Sequence, residues 1–279
     1  MSPTNQSKPT FGIIHYRAPG DTLEQFLDYA AQTGFDTVEL AAKDIWPDGE
    51  QSPQTRAEHA RRLLEQRGLA ASALATGNDF VLLEEEPIRG QIERMEQFSR
   101  LAVTVGAPVL RTEGGIRKKE VPPHMEGRAI GECLKRCVAF AERDNISLAV
   151  DNHGLVTNDP AVLFEALEIA DSPRMGSNLD TANFHWAGHS VQTCRDLYDR
   201  VAPRVQHVHL KDCTGTHLEN SYVGTVQGEG NVDLLHAVAA LRRAGYDGAY
   251  TAEWEGPADQ DGREAYARCL EWMRANITR

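Results

Sequence analysis

The stretch Val205-Gln-His-Val-His-Leu-Lys-Asp212 is a short apolar run that ends in polar groups, and its alternation of side chains predicts a β-strand. Successive side chains of a strand point to opposite faces, so His207, His209 and Lys211 share one face. His207 lies deeper in the strand and is typical of a core histidine held by a neighbour. His209 lies one step nearer the carboxyl end, so it is the better candidate for a metal ligand.

Apolar strand-like runs of this kind alternate with amphipathic segments along the whole chain. The predicted strands are residues 11–15, 36–41, 69–76, 108–112, 146–151, 174–180, 205–210 and 248–254. The predicted helices are residues 22–33, 53–67, 88–105, a segment that ends near residue 143, 160–170, 191–201, 234–244 and 263–276. Strict alternation of eight strand and helix pairs predicts a parallel sheet that closes on itself. The expected fold class is therefore α/β, a (β/α)8 TIM barrel.

The turns and the chain length both favour one barrel domain. Gly34, Gly68 and Gly245 each lie where a helix must end before the next strand. An open doubly wound sheet would carry a glycine-rich phosphate loop after its first strand, and residues 15–20 contain no such loop. The 279 residues fit the roughly 250 that this barrel needs. We expect a disordered polar tail over residues 1–10 and a single barrel domain over residues 11–279.

Composition and charge exclude several classes of partner. A hydrophobic content of 41% and a charged content of 25% are typical of a globular protein with a full core. The net charge of -12 argues against nucleic acid and anionic membranes, since both are bound by clustered lysine and arginine. No apolar run approaches the roughly 20 residues of a membrane helix, and the five cysteines form no C-x-x-C pair. These features favour a cytoplasmic protein with reduced thiols.

The last polar residue of each predicted strand is a candidate site residue, because TIM barrels build their active sites at the carboxyl ends of the strands. Strands five to eight end with Asp151, Asp180, His209 and Glu253. Three carboxylates and one imidazole suit one divalent metal, with Mn²⁺ as the first expectation and Mg²⁺, Co²⁺ and Zn²⁺ as alternatives. In the competing interpretation, each acid caps a loop or pairs with an arginine.

Further polar residues near strand ends are candidates for binding a small polar substrate. They are His15, Glu39, Arg111, Glu113, Asn183 and His185. In the competing interpretation the first four of these residues form salt bridges inside the barrel. Lys211 is a candidate catalytic residue that stabilises an oxyanion or neutralises the carboxylates, and the alternative is a plain ion pair with Asp212.

Several short motifs occur in a fixed order along the chain. They are Phe35-Asp-Thr-Val-Glu-Leu40, Asp151-Asn-His-Gly154, Asp180-Thr-Ala-Asn183, His207-Val-His-Leu-Lys-Asp212, Gly228-Glu-Gly230 with Val232-Asp233, and Gly245-Tyr-Asp-Gly248 followed by Glu253-Trp-Glu-Gly256. With these motifs the chain resembles the xylose isomerase-like superfamily of TIM barrels from Phe11 to about Trp272. This is the sugar isomerase and epimerase group, which also contains inosose dehydratases.

The resemblance implies that Asp151, Asp180, His209 and Glu253 hold one divalent metal and that a keto-sugar binds to it. A metal on a carbonyl oxygen stabilises the negative charge that develops when a base removes the adjacent proton. Return of the proton to the other face is epimerisation, and return to the other carbon is isomerisation. In the family's epimerases two carboxylates carry the proton, which makes Asp151 and Glu253 candidate catalytic residues.

The chain departs from the epimerase pattern at three positions. It has Asp151 where the epimerases usually have glutamate, Asn183 where ketose epimerases commonly have histidine, and Gly215 in place of a substrate-binding arginine. His153 lies two residues beyond Asp151 and is the first candidate for the general acid or base, because imidazole is the side chain best suited to give and take protons. In the alternative interpretation it is a loop histidine bound to the backbone.

The leading hypothesis is a metal-dependent isomerase or epimerase of a small sugar or keto-sugar. The alternatives are a lyase, either an inosose dehydratase or a 3-keto-glycoside β-eliminase with His153 as the base, and a barrel that binds sugar without converting it. An endonuclease relative would need more metal ligands than the chain offers and a less acidic surface. The expected partner is a small carbohydrate. The oligomeric state stays open, with a homo-oligomer as one option.

Overall fold

Eight parallel strands form the centre of the computed structural model, which describes residues 8–278. They are β1 (Thr10–Ile14), β2 (Thr37–Leu40), β3 (Ala70–Ala75), β4 (Val109–Thr112), β5 (Ser147–Asp151), β6 (Met175–Asp180), β7 (Val205–Leu210) and β10 (Ala249–Ala252). They hydrogen-bond in the order β1-β10-β7-β6-β5-β4-β3-β2 and close into a barrel. The predicted TIM barrel is confirmed.

The helices follow the strands along the chain. They are α1 (Leu23–Thr33), α2 (Ala42–Ile45), α3 (Pro53–Arg67), α4 (Glu85–Val105), α5 (Glu126–Asp144), α6 (Pro160–Ala170), α7 (Asn183–Trp186), α8 (Val191–Val201), α9 (Leu234–Arg243) and α10 (Gly262–Asn276). Two 3-10 turns occupy Pro123–Met125 and Ala202–Arg204. No helix among residues 8–278 is long and apolar enough to cross a membrane.

Local sequence signals explain where the helices begin and end. The side chain of Thr22 accepts a hydrogen bond from the backbone N–H of Gln25 at the start of α1. Gly34 ends α1 in the left-handed region with φ 94°, which glycine adopts without steric cost. At α6 the Asp159 side chain caps the N–H of Ala161. These caps are why the predicted helix bounds lie close to the observed ones.

Two short helices, one hairpin and the two 3-10 turns were not predicted. The short helices α2 and α7 follow β2 and β6, and a hairpin of β8 (Asp212–Thr214) and β9 (Val223–Thr225) follows β7. The predicted tail also ends earlier than expected, because Thr10 already pairs with β10. Residues 1–7 of that tail lie outside the described residues.

Two irregularities in the strand register lie beside polar positions inside the barrel. The pairing of β2 with β3 shifts between Val38 and Glu39, and that of β6 with β7 shifts between Ser177 and Asn178. A bulge of this kind changes the direction in which the next side chain points. Glu39 and Asn178 are both fully buried, and both contact the residues described below.

The core and the cysteines agree with the sequence interpretation. The main apolar cluster combines side chains of the strands and the surrounding helices, and a small cluster is formed by Ala73, Val109 and Ala149. All five cysteines are free and buried. Apolar packing, with no disulfide among the described residues, therefore holds the barrel together.

Candidate active site

A cavity of about 570 Å³ opens at the carboxyl ends of the strands. This volume lies within the range of roughly 300–1,000 Å³ that small-molecule sites occupy. Eight of the predicted site residues line it, namely His15, Glu39, Arg111, Glu113, Asp151, His153, His209 and Glu253. The fold therefore brings side chains from six separate strand ends to one cavity.

Three of the four predicted metal ligands form a compact buried cluster. Asp151, Asp180 and His209 can each offer one ligand atom such that all three atoms lie within 4.8 Å of one another. Asp180 and His209 are direct partners across β6 and β7, which explains their proximity. Glu253 follows β10, and its Oε2 lies 2.8 Å from Nδ1 of His209. The fourth predicted ligand therefore adjoins the same imidazole.

Lys211 neutralises the carboxylates of this cluster. Its Nζ lies 2.7 Å from Oδ2 of Asp180 and 3.2 Å from Oε1 of Glu253, and its side chain is only 2% exposed. The alternative of an ion pair with Asp212 is wrong. The Asp212 carboxylate instead accepts hydrogen bonds of 2.8–3.1 Å from four backbone N–H groups, those of Cys213, Gly228, Gly230 and Val232.

The buried acids outnumber the permanent buried cations. Four carboxylates face the guanidinium of Arg111 and the ammonium of Lys211, so two negative charges are left over when His209 is neutral; the acids are Glu39, Asp151, Asp180 and Glu253. Burial raises the pKa of Asp180 to about 7, and the neighbouring carboxylates of Glu253 and Asp151 add to this although Lys211 opposes it. A divalent cation carries the charge that this donor set lacks, so the residues fit the predicted metal.

Glu39 holds both strand-seven imidazoles with one oxygen. Its Oε2 lies 2.9 Å from Nε2 of His207 and 2.6 Å from Nε2 of His209. His207 is therefore the core histidine held by a neighbour that the sequence suggested. Because the carboxylate can only accept, Nε2 of His209 carries a proton and Nδ1 is the nitrogen left for a ligand. Glu39 thus acts on the imidazole, although the sequence suggested a substrate contact.

The protonation of His209 is set by the carboxylates at both of its nitrogens. Burial lowers the pKa of His209, but Glu39 and Glu253 outweigh it and raise the pKa to about 10. Burial also opposes ionisation of Glu253, yet Lys211 and His209 hold the pKa of this acid well below its usual range. Without a metal, both nitrogens of His209 donate to acids. A metal at Nδ1 would replace one proton, since imidazole ligates in its neutral form.

Both oxygens of Asp151 are already engaged. Nη1 of Arg111 lies 3.1 Å from Oδ2, and Nδ2 of Asn178 donates to Oδ1 over 2.8 Å. The same Arg111 donates through Nε to Glu39 over 2.6 Å, so it aligns two acids at once. Oδ1 of Asn178 is buried and has no hydrogen-bond partner among the described residues. Asp151 is therefore fixed in place at the cavity wall, with a side chain that is only 3% exposed.

His153 is an exposed imidazole of the cavity wall. Its side chain is 60% exposed, and Nδ1 lies 3.9 Å from Oδ2 of Asp151. The strand β5 ends at Asp151, and the backbone N–H of His153 donates to Oγ1 of Thr157. Within the described part of the chain its imidazole is bound to no backbone group. This is a free imidazole that faces a cavity.

The remaining predicted residues divide into two groups. His15 lines the cavity with Nδ1 at 2.9 Å from Asp44, and Glu113 lines it with a side chain that is 36% exposed. Asn183 and His185 are not brought to the cavity. The Asn183 amide donates to the carbonyl of Asn152, and Nδ1 of His185 lies 3.1 Å from the carbonyl of His189.

Sequence reasoning missed several residues at this site. Glu255 lines the cavity, and its Oε2 lies 3.5 Å from Nζ of Lys211 and 2.6 Å from the hydroxyl of Tyr222. The signal for Glu255 was present, because it lies two residues after Glu253 and so repeats the spacing of a strand face. Arg17, from the loop after β1, and Lys43, from the short helix α2, also line the cavity, and no spacing rule points to them.

Comparison with known proteins assigns the chain to a family. The model of the xylose isomerase-like TIM barrel family matches residues 27–276, and the chain belongs to that family. The resemblance inferred from the motifs is thus confirmed. An uncharacterized protein of Methanocaldococcus jannaschii is 27% identical over 124 residues, which is 43% of this chain. The match spans only 41% of that relative's own length.

Solved structures with the same fold include three of stated activity or ligand. The IolI protein with a bound zinc atom superposes with a TM-score of 0.77 at 15% identity, covering 96% of this chain and 98% of that chain. The 3-keto-D-glucoside 4-epimerase of E. coli gives 0.74 at 16% identity, covering 96% and 100%. D-allulose 3-epimerase from Methylomonas sp. in complex with D-allulose gives 0.72 at 16% identity, covering 97% and 98%. At these identities the likeness is one of fold.

Proposed function

We propose that this barrel is a divalent-metal-dependent isomerase or epimerase that acts on a small sugar or keto-sugar by removing a proton next to a carbonyl. The observation that carries the proposal is the buried cluster of Asp151, Asp180 and His209 beside a cavity of about 570 Å³. The bound metal would supply a Lewis acid that stabilises the charge developing on the carbonyl oxygen. Sugar epimerases among the structural neighbours support a carbohydrate as the substrate.

The metal that the donor set favours is Mn²⁺. Carboxylate oxygens with one imidazole nitrogen suit Mn²⁺ and Mg²⁺, which prefer oxygen ligands. Zn²⁺ and Co²⁺ remain alternatives, and the zinc atom in the IolI structure supports keeping zinc in the comparison. We assign Asp151, Asp180, His209 and Glu253 as the ligands. Lys211 then balances the charge of two of them and stays out of the cavity lining.

His153 is the proton carrier in this proposal. It is exposed at the cavity wall, whereas Asp151 is held by Arg111 and Asn178 and is 3% exposed. Glu253 borders the cavity too, but Lys211 and His209 keep it ionised and paired. Glu113 and His15, which also line the cavity, would bind substrate hydroxyls.

A lyase is the second candidate, and the geometry at Asp151 favours it. Epimerisation returns the proton to the opposite face and so needs a second group there. Elimination needs one base and a departing substituent, and His153 alone can provide the base. Dehydration of an inosose or β-elimination from a 3-keto-glycoside would use the same metal and the same imidazole.

Proton exchange in heavy water separates these functions. The Mn²⁺-loaded protein is incubated in D₂O with D-allulose and, separately, with methyl 3-keto-β-D-glucopyranoside, and the products are followed by NMR and mass spectrometry. Deuterium next to the carbonyl of an otherwise intact sugar supports the isomerase or epimerase. Loss of methanol or water supports the lyase. If a metal-loaded protein binds these sugars but exchanges no proton, the barrel that only binds sugar becomes the better description.

Replacing His153 with glutamine should lower kcat about 100-fold with little change in metal content, because general acid or base catalysis contributes about 10²- to 10⁴-fold. Glutamine keeps the polar character but cannot take up a proton. Steady-state kinetics and metal analysis on the same preparation check this. His59→Gln is the matched control, since His59 lies on α3 and contacts Glu24 at the surface. Full activity in His153→Gln would assign the proton transfer to another residue.

Replacing Glu39 with glutamine should weaken Mn²⁺ binding about 10- to 100-fold, because a carboxylate that supports a ligating histidine tunes metal affinity by this amount. The side chain keeps its size but loses the charge that fixes the proton on Nε2 of His209. Calorimetric titration with Mn²⁺ measures the change. Glu113→Gln serves as control, since Glu113 does not contact His209. An unchanged Mn²⁺ affinity would show that Glu39 does not position the ligand.

A further inference from the structure

A second cavity of about 310 Å³ adjoins the active-site cavity and shares two wall residues with it, Arg17 and Glu255. The other walls come from Tyr222 to Gly224 and from Pro257 and Ala258. The first segment belongs to the β8–β9 hairpin and the second to the loop after β10. The two cavities meet where Glu255 faces both.

Glu255 is held firmly at this junction. The hydroxyl of Tyr222 donates to its Oε2 over 2.6 Å, and Nζ of Lys211 lies 3.5 Å from the same oxygen. The hairpin also packs directly on the backbone, since a Cβ at position 224 would lie 2.5 Å from the carbonyl group of Glu255. The carboxylate of Glu255 is therefore fixed between the active-site cavity, which we call the inner cavity, and the second cavity, which we call the outer cavity.

The inner and outer cavities differ in the side chains that line them. The inner one holds the cluster of acids and imidazoles, and it suits a polar, metal-chelating sugar ring. The outer cavity is lined by Tyr222, by the small apolar residues Pro257 and Ala258, and by Arg17. Arg17 has a backbone φ of 49°, which is uncommon for a residue with a side chain and is maintained only where the surrounding structure requires it.

We propose that the two cavities form one site for a glycoside, with the reacting sugar in the inner cavity and the ring-sized group on its glycosidic oxygen in the outer cavity. The glycosidic oxygen and its neighbouring hydroxyls lie at the junction, within reach of Glu255 and Arg17. An aryl group or a second sugar ring packs on Tyr222 and Pro257. This inference rests on the proposed function, because it assumes that the inner cavity binds a sugar.

Binding of matched glucosides tests the inference. Dissociation constants of the Mn²⁺-loaded protein are measured by NMR titration for methyl and phenyl glucopyranosides, each as the α and the β anomer. We expect one phenyl anomer to bind about tenfold more tightly than its methyl partner, since a buried aromatic ring contributes on this scale. Ala258→Trp fills the outer cavity and should abolish the gain without changing the methyl glucoside. Ala275→Trp, at an exposed position on α10, is the control.

Every other result of this experiment counts against the inference. Equal affinities for the methyl and phenyl compounds would overturn it and leave the proposed function intact. A phenyl gain that survives in Ala258→Trp would place the ring elsewhere and overturn it as well. If no glucoside binds while D-allulose exchanges deuterium, only the glycoside inference fails. If neither binding nor exchange occurs, the proposed function fails with it.

Discussion

Replacing His209 with alanine will reduce bound metal from near one equivalent to below about 0.1 and will remove detectable activity. His209 is the single nitrogen donor of the cluster, and its Nδ1 lies beside Glu253 on the side of the proposed metal. Loss of a group that merely supports a ligand costs about 10- to 100-fold in metal affinity, so loss of the ligand itself must cost more. Plasma mass spectrometry on protein purified without chelators measures the content directly.

Two controls separate metal loss from unfolding. Circular dichroism and thermal unfolding report whether His209→Ala folds, and Asp180→Asn removes a second ligand with a smaller change of shape. His236→Ala is the matched control, because His236 pairs with Asp199 at the surface. We expect that variant to retain its metal. If His209→Ala folds and still holds one equivalent, the four-residue ligand set is refuted.

Replacing Lys211 with methionine will lower the free energy of unfolding of the metal-free protein by about 3–5 kcal/mol, the cost of breaking a buried ion pair from one side. Methionine preserves the aliphatic packing of the stem but leaves Asp180 and Glu253 without their cation. Asp180 is 1% exposed, so water replaces its ammonium partner poorly, whereas Glu253 keeps His209 as a partner. Denaturant unfolding of wild type and variant, each without metal, gives the difference.

Added Mn²⁺ makes this prediction specific. A cation bound by Asp180 and Glu253 supplies positive charge where Lys211 is missing, and binding to the folded state adds stability by mass action. We expect saturating Mn²⁺ to restore a larger share of stability in Lys211→Met than it adds to wild type. Lys43→Met, an exposed position, should change stability little. A loss below about 1 kcal/mol in Lys211→Met would mean that the acids do not depend on the ammonium.

The fold could be predicted because strand and helix periodicities are local properties of the sequence. The helix ends at Thr22 and Asp159 are set by side chains that contact the next few residues, and such contacts need no tertiary information. The hairpin of β8 and β9 was not predicted, because its pairing is not a local property of the sequence. Its strands are three residues long, and their pairing depends on the barrel rim below them.

Only part of the candidate site could be predicted, because strand alternation shows which side chains share a face but not which distant residues meet. Alternation assigned Asp180 and His209 to the same interior, and it should have excluded Asp212 as a partner of Lys211, because adjacent residues point to opposite faces. The partnership of Glu39 with His209 joins residues 170 positions apart. No spacing rule relates such residues, since closure of the barrel alone makes them neighbours.

The burial of all five cysteines makes this protein convenient for chemical labelling. Burial raises the pKa of Cys133 to about 11 and those of Cys194, Cys213 and Cys269 to about 12, and Cys137 is raised further still. The reactive thiolate is therefore scarce at neutral pH in every native position. A single cysteine introduced on the hairpin loop would be the one fast-reacting thiol. Fluorescent reporters can thus follow the hairpin without prior removal of native sulfur.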